Sequence, residues 1–133
     1  MMEKICINDE IYALLAPIKE IKEGTEWFGN SFEALQASRM NYAAGKEFRA
    51  HKHVLNPRII KRTQEAFVVI SGKIQIDIFD DNQNLLGSIT AQAGEAIFVY
   101  KGYHLVQVLE DAIAYEIKAG QYTYVSEDKE FLK

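Results

Sequence analysis

A chain of 133 residues, 48% apolar and 26% charged, is long enough for one domain that buries about two thirds of its unfolded surface, and no second domain is needed. A net charge of −4 argues against general binding to nucleic-acid phosphates, which calls for a basic face. No apolar run approaches the ~20 residues of a membrane span, MMEKICINDE lacks a signal-peptide pattern, and Cys6 as the only cysteine excludes an internal disulfide, so a cytoplasmic location is expected.

In chain order, Ile11, Leu14, Leu15, Ile18 and Ile21 have the spacing of an apolar helical stripe. This predicts a short helical segment over 8–24, capped by Asn8 or Asp9, kinked at Pro17 and closed by Gly24. Trp27 to Tyr42 reads as strand, turn, strand, because Gly29, Asn30 and Ser31 interrupt the aromatics. Beyond Gly45, strands are expected at about 47–54, 58–63, 65–71, 73–80, 85–90, 95–100, 103–109 and 112–118. Such short, regularly spaced strands indicate an all-β sandwich or barrel, with a core over about 27–122 and an irregular or short helical tail over 123–133. Residues 80–84, DDNQN, form the clearest hairpin turn.

Two strands carry the chemistry. On Glu65-Ala-Phe-Val-Val-Ile-Ser, Glu65 shares a face with Phe67 and Val69, while Ala66, Val68 and Ile70 take the other. Both faces are apolar, so the strand is expected to be buried on both sides, where a carboxylate needs a partner or a cation. On Ala112 to Lys118, Ile113, Tyr115 and Ile117 form a large apolar face. Glu116 and Lys118, beside the small Ala112 and Ala114, either form a solvent-facing ion pair or line a cavity. His51 and His53 at i, i+2 on a strand would point the same way. With Glu65 and His104 they make a candidate site for a divalent metal ion, Zn, Fe, Ni or Mn. Arg49, Arg58 and Arg62 crowd the same stretch, as a solvated basic hairpin or as a clamp for a diphosphate.

The spacing resembles the two motifs of the cupin superfamily. Gly45, five residues, His51-Lys-His53, and then Glu65, six residues, Gly72 match the first motif, with eleven residues between His53 and Glu65. Gly94, Gly102 and His104 match the second, with Tyr100 in its proline position and Val108 in its asparagine position. RTQEAFVVISGKIQIDIFDDNQ, KGYHLVQVLEDAIAYEIKAGQY and the series Glu116, Lys118, Gly120, Tyr122 resemble the WbuC-like cupins found among surface-polysaccharide genes. The resemblance implies a single cupin domain over 1–133, a double-stranded β-helix or jelly-roll barrel with the short N-terminal helical segment. It also implies a metal held by His51, His53, Glu65 and His104.

Three functions stay open. The first is metal-dependent isomerisation or epimerisation of a sugar or nucleotide sugar, with Glu116 and Tyr103 as catalytic groups and Arg49, Arg58, Arg62 and Lys118 on the substrate. The second resembles the metal-free sugar-nucleotide 3,4-ketoisomerases, in which histidines act as acid and base. The third is a non-catalytic binding or sensing module. A homodimer is expected in each case, since a strand apolar on both faces needs a cover.

Overall fold

A ribbon of two long strands, curled until its ends meet, organises the computed structural model, which describes residues 2–19, 21–121 and 128–133. Its strands are β5 (Glu65–Phe79) and β8 (Tyr103–Lys118), paired antiparallel from Glu65↔Lys118 at one end to Phe79↔Tyr103 at the other. The two strands expected over 65–80 are therefore one strand, and so are the two expected over 103–118. The other edge of β5 is shared. Its first residues pair with β7 (Glu95–Val99), and Lys73–Phe79 pair with β6 (Leu85–Gln92).

The ribbon bends where the pairing slips, between Val69 and Ile74. Gly72 makes the bend possible: its φ is 81°, and a Cβ there would overlap the Asp111 carbonyl and the Ala112 Cα. The expected turn at residues 80–84 joins β5 to β6. Asp80 Oδ1 accepts the Asn82 and Asn84 amides, each at 2.9 Å, and Gln83 takes a φ of 67°.

No helix forms over the described part of 8–24. Residues 3–17 are instead a β-hairpin of β1 (Glu3–Ile7) and β2 (Glu10–Pro17), turned at Asn8 with φ 53°. β2 lies between β1 and β7, and Ile11 through Ala16 are all buried. An unbroken apolar run contains helical spacings by accident, and here it is a strand buried on both faces. A register slip at Ile5/Cys6 lets Tyr12 and Ala13 face the same side.

The described architecture is an all-β, strongly curled antiparallel sheet forming a half-barrel. Its concave side holds Tyr12, Leu15, Phe67, Val69, Ile74, Ile76, Ile78, Ile89 and Ile97. On the convex side a separate hairpin, β3 (Gly24–Phe28) with β4 (Ala37–Asn41), bears out the strand, turn, strand pattern and covers Ile11, Leu14, Ala66 and Phe98. Between β4 and β5 there is no strand, which corrects the expected strands at 47–54 and 58–63. Those residues are exposed and gain no sheet partner to hold an extended backbone. No helix among the described residues is long and apolar enough to cross a membrane.

Candidate functional site

Curling the ribbon joins residues that its own ladder holds far apart. Glu65 opens β5, whereas His104 is paired with Ile78 near the other end, some 13 residues on and roughly 40 Å away along a straight strand. Yet His104 Nε2–H donates to Glu65 Oε2 at 3.2 Å. Lys118 Nζ approaches the other oxygen of Glu65 to 3.8 Å and Glu116 Oε1 to 3.7 Å. The shared face of Glu65, Phe67, Glu116 and Lys118 follows from their cross-strand pairing, as alternation predicts.

Glu65 is 7% exposed, and it and Gln64 are the buried polar residues among those described. The hydrogen bond from His104 holds its carboxyl below the ordinary carboxylate range. The charges of His104, Lys118 and Lys129 add to this, against burial, which pushes it up. The Phe67 ring lies edge-on to the His104 ring, with centroids 6.4 Å apart.

Glu65, Phe67 and His104 form one wall of an open cavity of about 930 Å³, which Lys61, Arg62, Tyr103 and Glu116 also line, whereas Lys118 contacts Glu65 from outside that lining. Residues after the barrel close part of it: Thr63 Oγ1 donates to Asp128 Oδ1 at 2.8 Å, and Tyr103 Oη donates to Glu130 Oε2 at 2.6 Å. That last bond pushes the Tyr103 phenol up.

The histidines divide into two groups. His51 and His53 stack edge to face, 5.3 Å apart, on the exposed segment before β5, where His51 Nδ1 lies 3.0 Å from the Arg49 carbonyl oxygen. Neither lines the cavity. Among the described residues no group of three or more His, Cys, Asp and Glu side chains is disposed to hold a metal ion. The four expected ligands are thus present as two pairs, Glu65–His104 and His51–His53, and this arrangement does not fit a shared metal. The strand that would have aimed His51 and His53 together has not formed.

Of the cations, Arg62 and Lys61 reach the cavity, whereas Arg49 and Arg58 are exposed and lie outside its lining. Tyr122 is outside the described residues.

Sequence reasoning passed over Gln64. It is 2% exposed, its Oε1 accepts the Leu35 amide at 2.7 Å, and its Nε2 donates to Glu33 and, at 3.4 Å, to the Tyr100 carbonyl. It anchors the β3–β4 loop beside the entry to β5, directly before Glu65. A lone glutamine before an apolar strand reads as turn, so composition gives no signal for it. The acidic residues Asp128 and Glu130 were passed over for the same reason, in a charged tail.

No family model matches the chain, and neither the curated proteins nor the solved structures contain a match to it.

Proposed function

We propose that the concave cavity is a proton-transfer site acting on a sugar or nucleotide sugar, with isomerase or epimerase chemistry of the kind used in surface-polysaccharide synthesis. The observation that carries this reading is the Glu65–His104 hydrogen bond, 3.2 Å long, at the wall of a cavity edged by Lys61 and Arg62. A carboxylate that accepts from one imidazole nitrogen fixes the tautomer and leaves the lone pair on the other.

His104 Nδ1 would take the proton from the carbon beside a sugar carbonyl. The C–H electron pair then moves into the carbonyl, giving an enolate whose oxygen takes a hydrogen bond or a proton from Tyr103 or Glu116. Glu65 stabilises the imidazolium formed, and Lys118 keeps Glu65 ionised. In isomerisation the first carbon carries a hydroxyl, whose proton passes to Glu116 as the imidazolium proton is delivered to the former carbonyl carbon, so the carbonyl and hydroxyl exchange places. In epimerisation Tyr103 would deliver a proton to the opposite face of the first carbon as the carbonyl re-forms, and His104 would keep the proton it took until solvent removes it. Arg62 and Lys61 suit the diphosphate of a nucleotide sugar.

The test is solvent exchange. Nucleoside-diphosphate ketosugars incubated with the protein in D₂O should gain deuterium beside the carbonyl, and His104→Ala or Glu65→Gln should slow this by about 10²-fold or more. Thermal stabilisation by the sugars without exchange would make the cavity a binding module. Neither exchange nor stabilisation removes the reading.

A second reading keeps the divalent metal, because two of its four expected ligands, Glu65 and His104, already touch. It requires the segment carrying His51 and His53 to reach the cavity. Stoichiometric Zn, Fe, Ni or Mn in the purified protein, lost in His51→Ala, would favour it over the metal-free site. We propose that either form works as a homodimer, since Ile113, Tyr115 and Ile117 on the convex face of β8 are each about half to two-thirds exposed.

A further inference from the structure

The connection from β4 to β5 runs over residues 42–64 with no strand or helix of its own. That is well beyond the ~12–15 residues past which an unstructured connection usually has a task. Both of its ends are fastened. The Phe48 ring packs edge-on against Tyr42 with centroids 5.0 Å apart, and Lys46 Nζ lies over both rings. At the other end Ile60 lies against Gly120, and Gln64 is buried. Residues 49–59 lie between these anchors, and every one of them is exposed.

This loop exposes apolar and basic side chains together. Val54, Leu55 and Ile59 are 78%, 102% and 87% exposed. Arg49, Lys52 and Arg58 stand among them, and no Asp or Glu occurs between Glu47 and Glu65. Three cations and no anion give 49–59 a charge of +3, so the rest of the chain, which totals −4 with the loop, carries −7.

The combination decides which anionic surface fits. A nucleic acid would engage the cations and leave three aliphatic side chains in water. A shape-matched protein needs a rigid face, and no sheet or helix stands behind these residues. The headgroup region of an anionic bilayer takes both kinds of side chain and needs no fixed shape. The negative remainder of the chain turns the loop toward such a surface, and its own repulsion is screened beyond a Debye length of ~10 Å.

We infer that residues 49–59 form a docking loop that holds the protein reversibly against an anionic lipid surface. Val54, Leu55 and Ile59 enter at the level of the headgroups, and Arg49, Lys52 and Arg58 meet the lipid anions. Lys61 and Arg62, which line the concave cavity, lie outside the loop, so docking does not depend on the chemistry there.

The experiment is co-sedimentation of the whole chain with vesicles of phosphatidylcholine and with vesicles that also contain phosphatidylglycerol. Partitioning onto the anionic vesicles should be at least about tenfold tighter and should weaken as salt is raised. Arg49→Gln, Lys52→Gln and Arg58→Gln together should remove the preference. Val54→Ser with Leu55→Ser should lower partitioning onto the anionic vesicles about tenfold. Far-UV circular dichroism should stay unchanged in both variants, because all five positions are exposed.

Insertion has its own readout. Leu55→Trp in a Trp27→Phe background should give an emission that moves to the blue with anionic vesicles and is quenched by bromine-labelled acyl chains. The inference is overturned if wild type stays in the supernatant with anionic vesicles, or if both compositions bind it equally. It is also overturned if the double serine variant binds as wild type does, since the cations alone would then suffice, or if the tryptophan emission does not shift.

Discussion

Glu65 is a buried acid whose ionised form the fold favours, and this gives stability a definite pH dependence. Its pKa is lowered in the folded chain, so the stabilisation is complete above the unfolded value of about 4.3 and is lost as pH falls through the folded value. Chemical denaturation at a series of acid pH values should show this loss in wild type and a flatter profile in Glu65→Gln. In His104→Ala, which removes the largest cause of the shift, the Glu65 carboxyl should titrate at higher pH by carbon-13 NMR.

Tyr100 gives the opposite sign. Its hydroxyl is buried without a hydrogen-bond partner among the described residues, wedged where a Cβ on Gly29 would sit, and burial pushes its pKa up to about 12. Its contribution is present below pH ~10 and fades as pH rises toward the folded value. Tyr100→Phe should remove that alkaline dependence. At neutral pH it should leave the melting temperature unchanged or slightly raised, because an unsatisfied hydroxyl is deleted. Gln64→Leu should do the reverse, costing about 1–3 kcal/mol in denaturant unfolding by stranding the Leu35 amide.

Among the elements, the β5–β8 ribbon is the one on which the site depends. Gly72→Ala places a side chain at φ 81° and against the Asp111 carbonyl. A loss of about 2 kcal/mol or more is expected, together with a rise in the Glu65 pKa as His104 is drawn away. Much of this element could be read in the chain: the alternation of Glu65 to Ile70, the turn at Asp80, and the shared face of Glu116 and Lys118. Alternation is a local signal, and these strands obey it. The bend was not readable, because it arises from register slips between strands more than thirty residues apart in sequence. β2 was misread for a related reason. A strand buried on both faces loses its two-residue period, and what remains of Ile11, Leu14, Leu15 and Ile18 fits a helix equally well. For the histidines, spacing brought His104 and Glu65 into one site, but His51 and His53 depended on a strand that has no neighbour to pair with.

At the level of the whole molecule, the half-barrel has one concave and one convex face, each with its own cavity. Among the described residues, β8 pairs only with β5, so its outer edge and its convex Ile113, Tyr115 and Ile117 are left uncovered. A two-fold pairing with a second copy would cover both at once. Sedimentation equilibrium should therefore find a dimer for wild type, and Ile113→Lys with Ile117→Lys should yield a folded monomer.

The curl of the ribbon has a mechanical corollary. Glu65 and His104 are the tips of a pair of calipers whose pivot is the kink at Gly72, so a few degrees of flexing at the pivot opens the jaws by an amount multiplied along the arms. Anything that grips the back of the arms, a second subunit included, would thereby set the gap between Glu65 and His104 on which the proposed proton transfer relies.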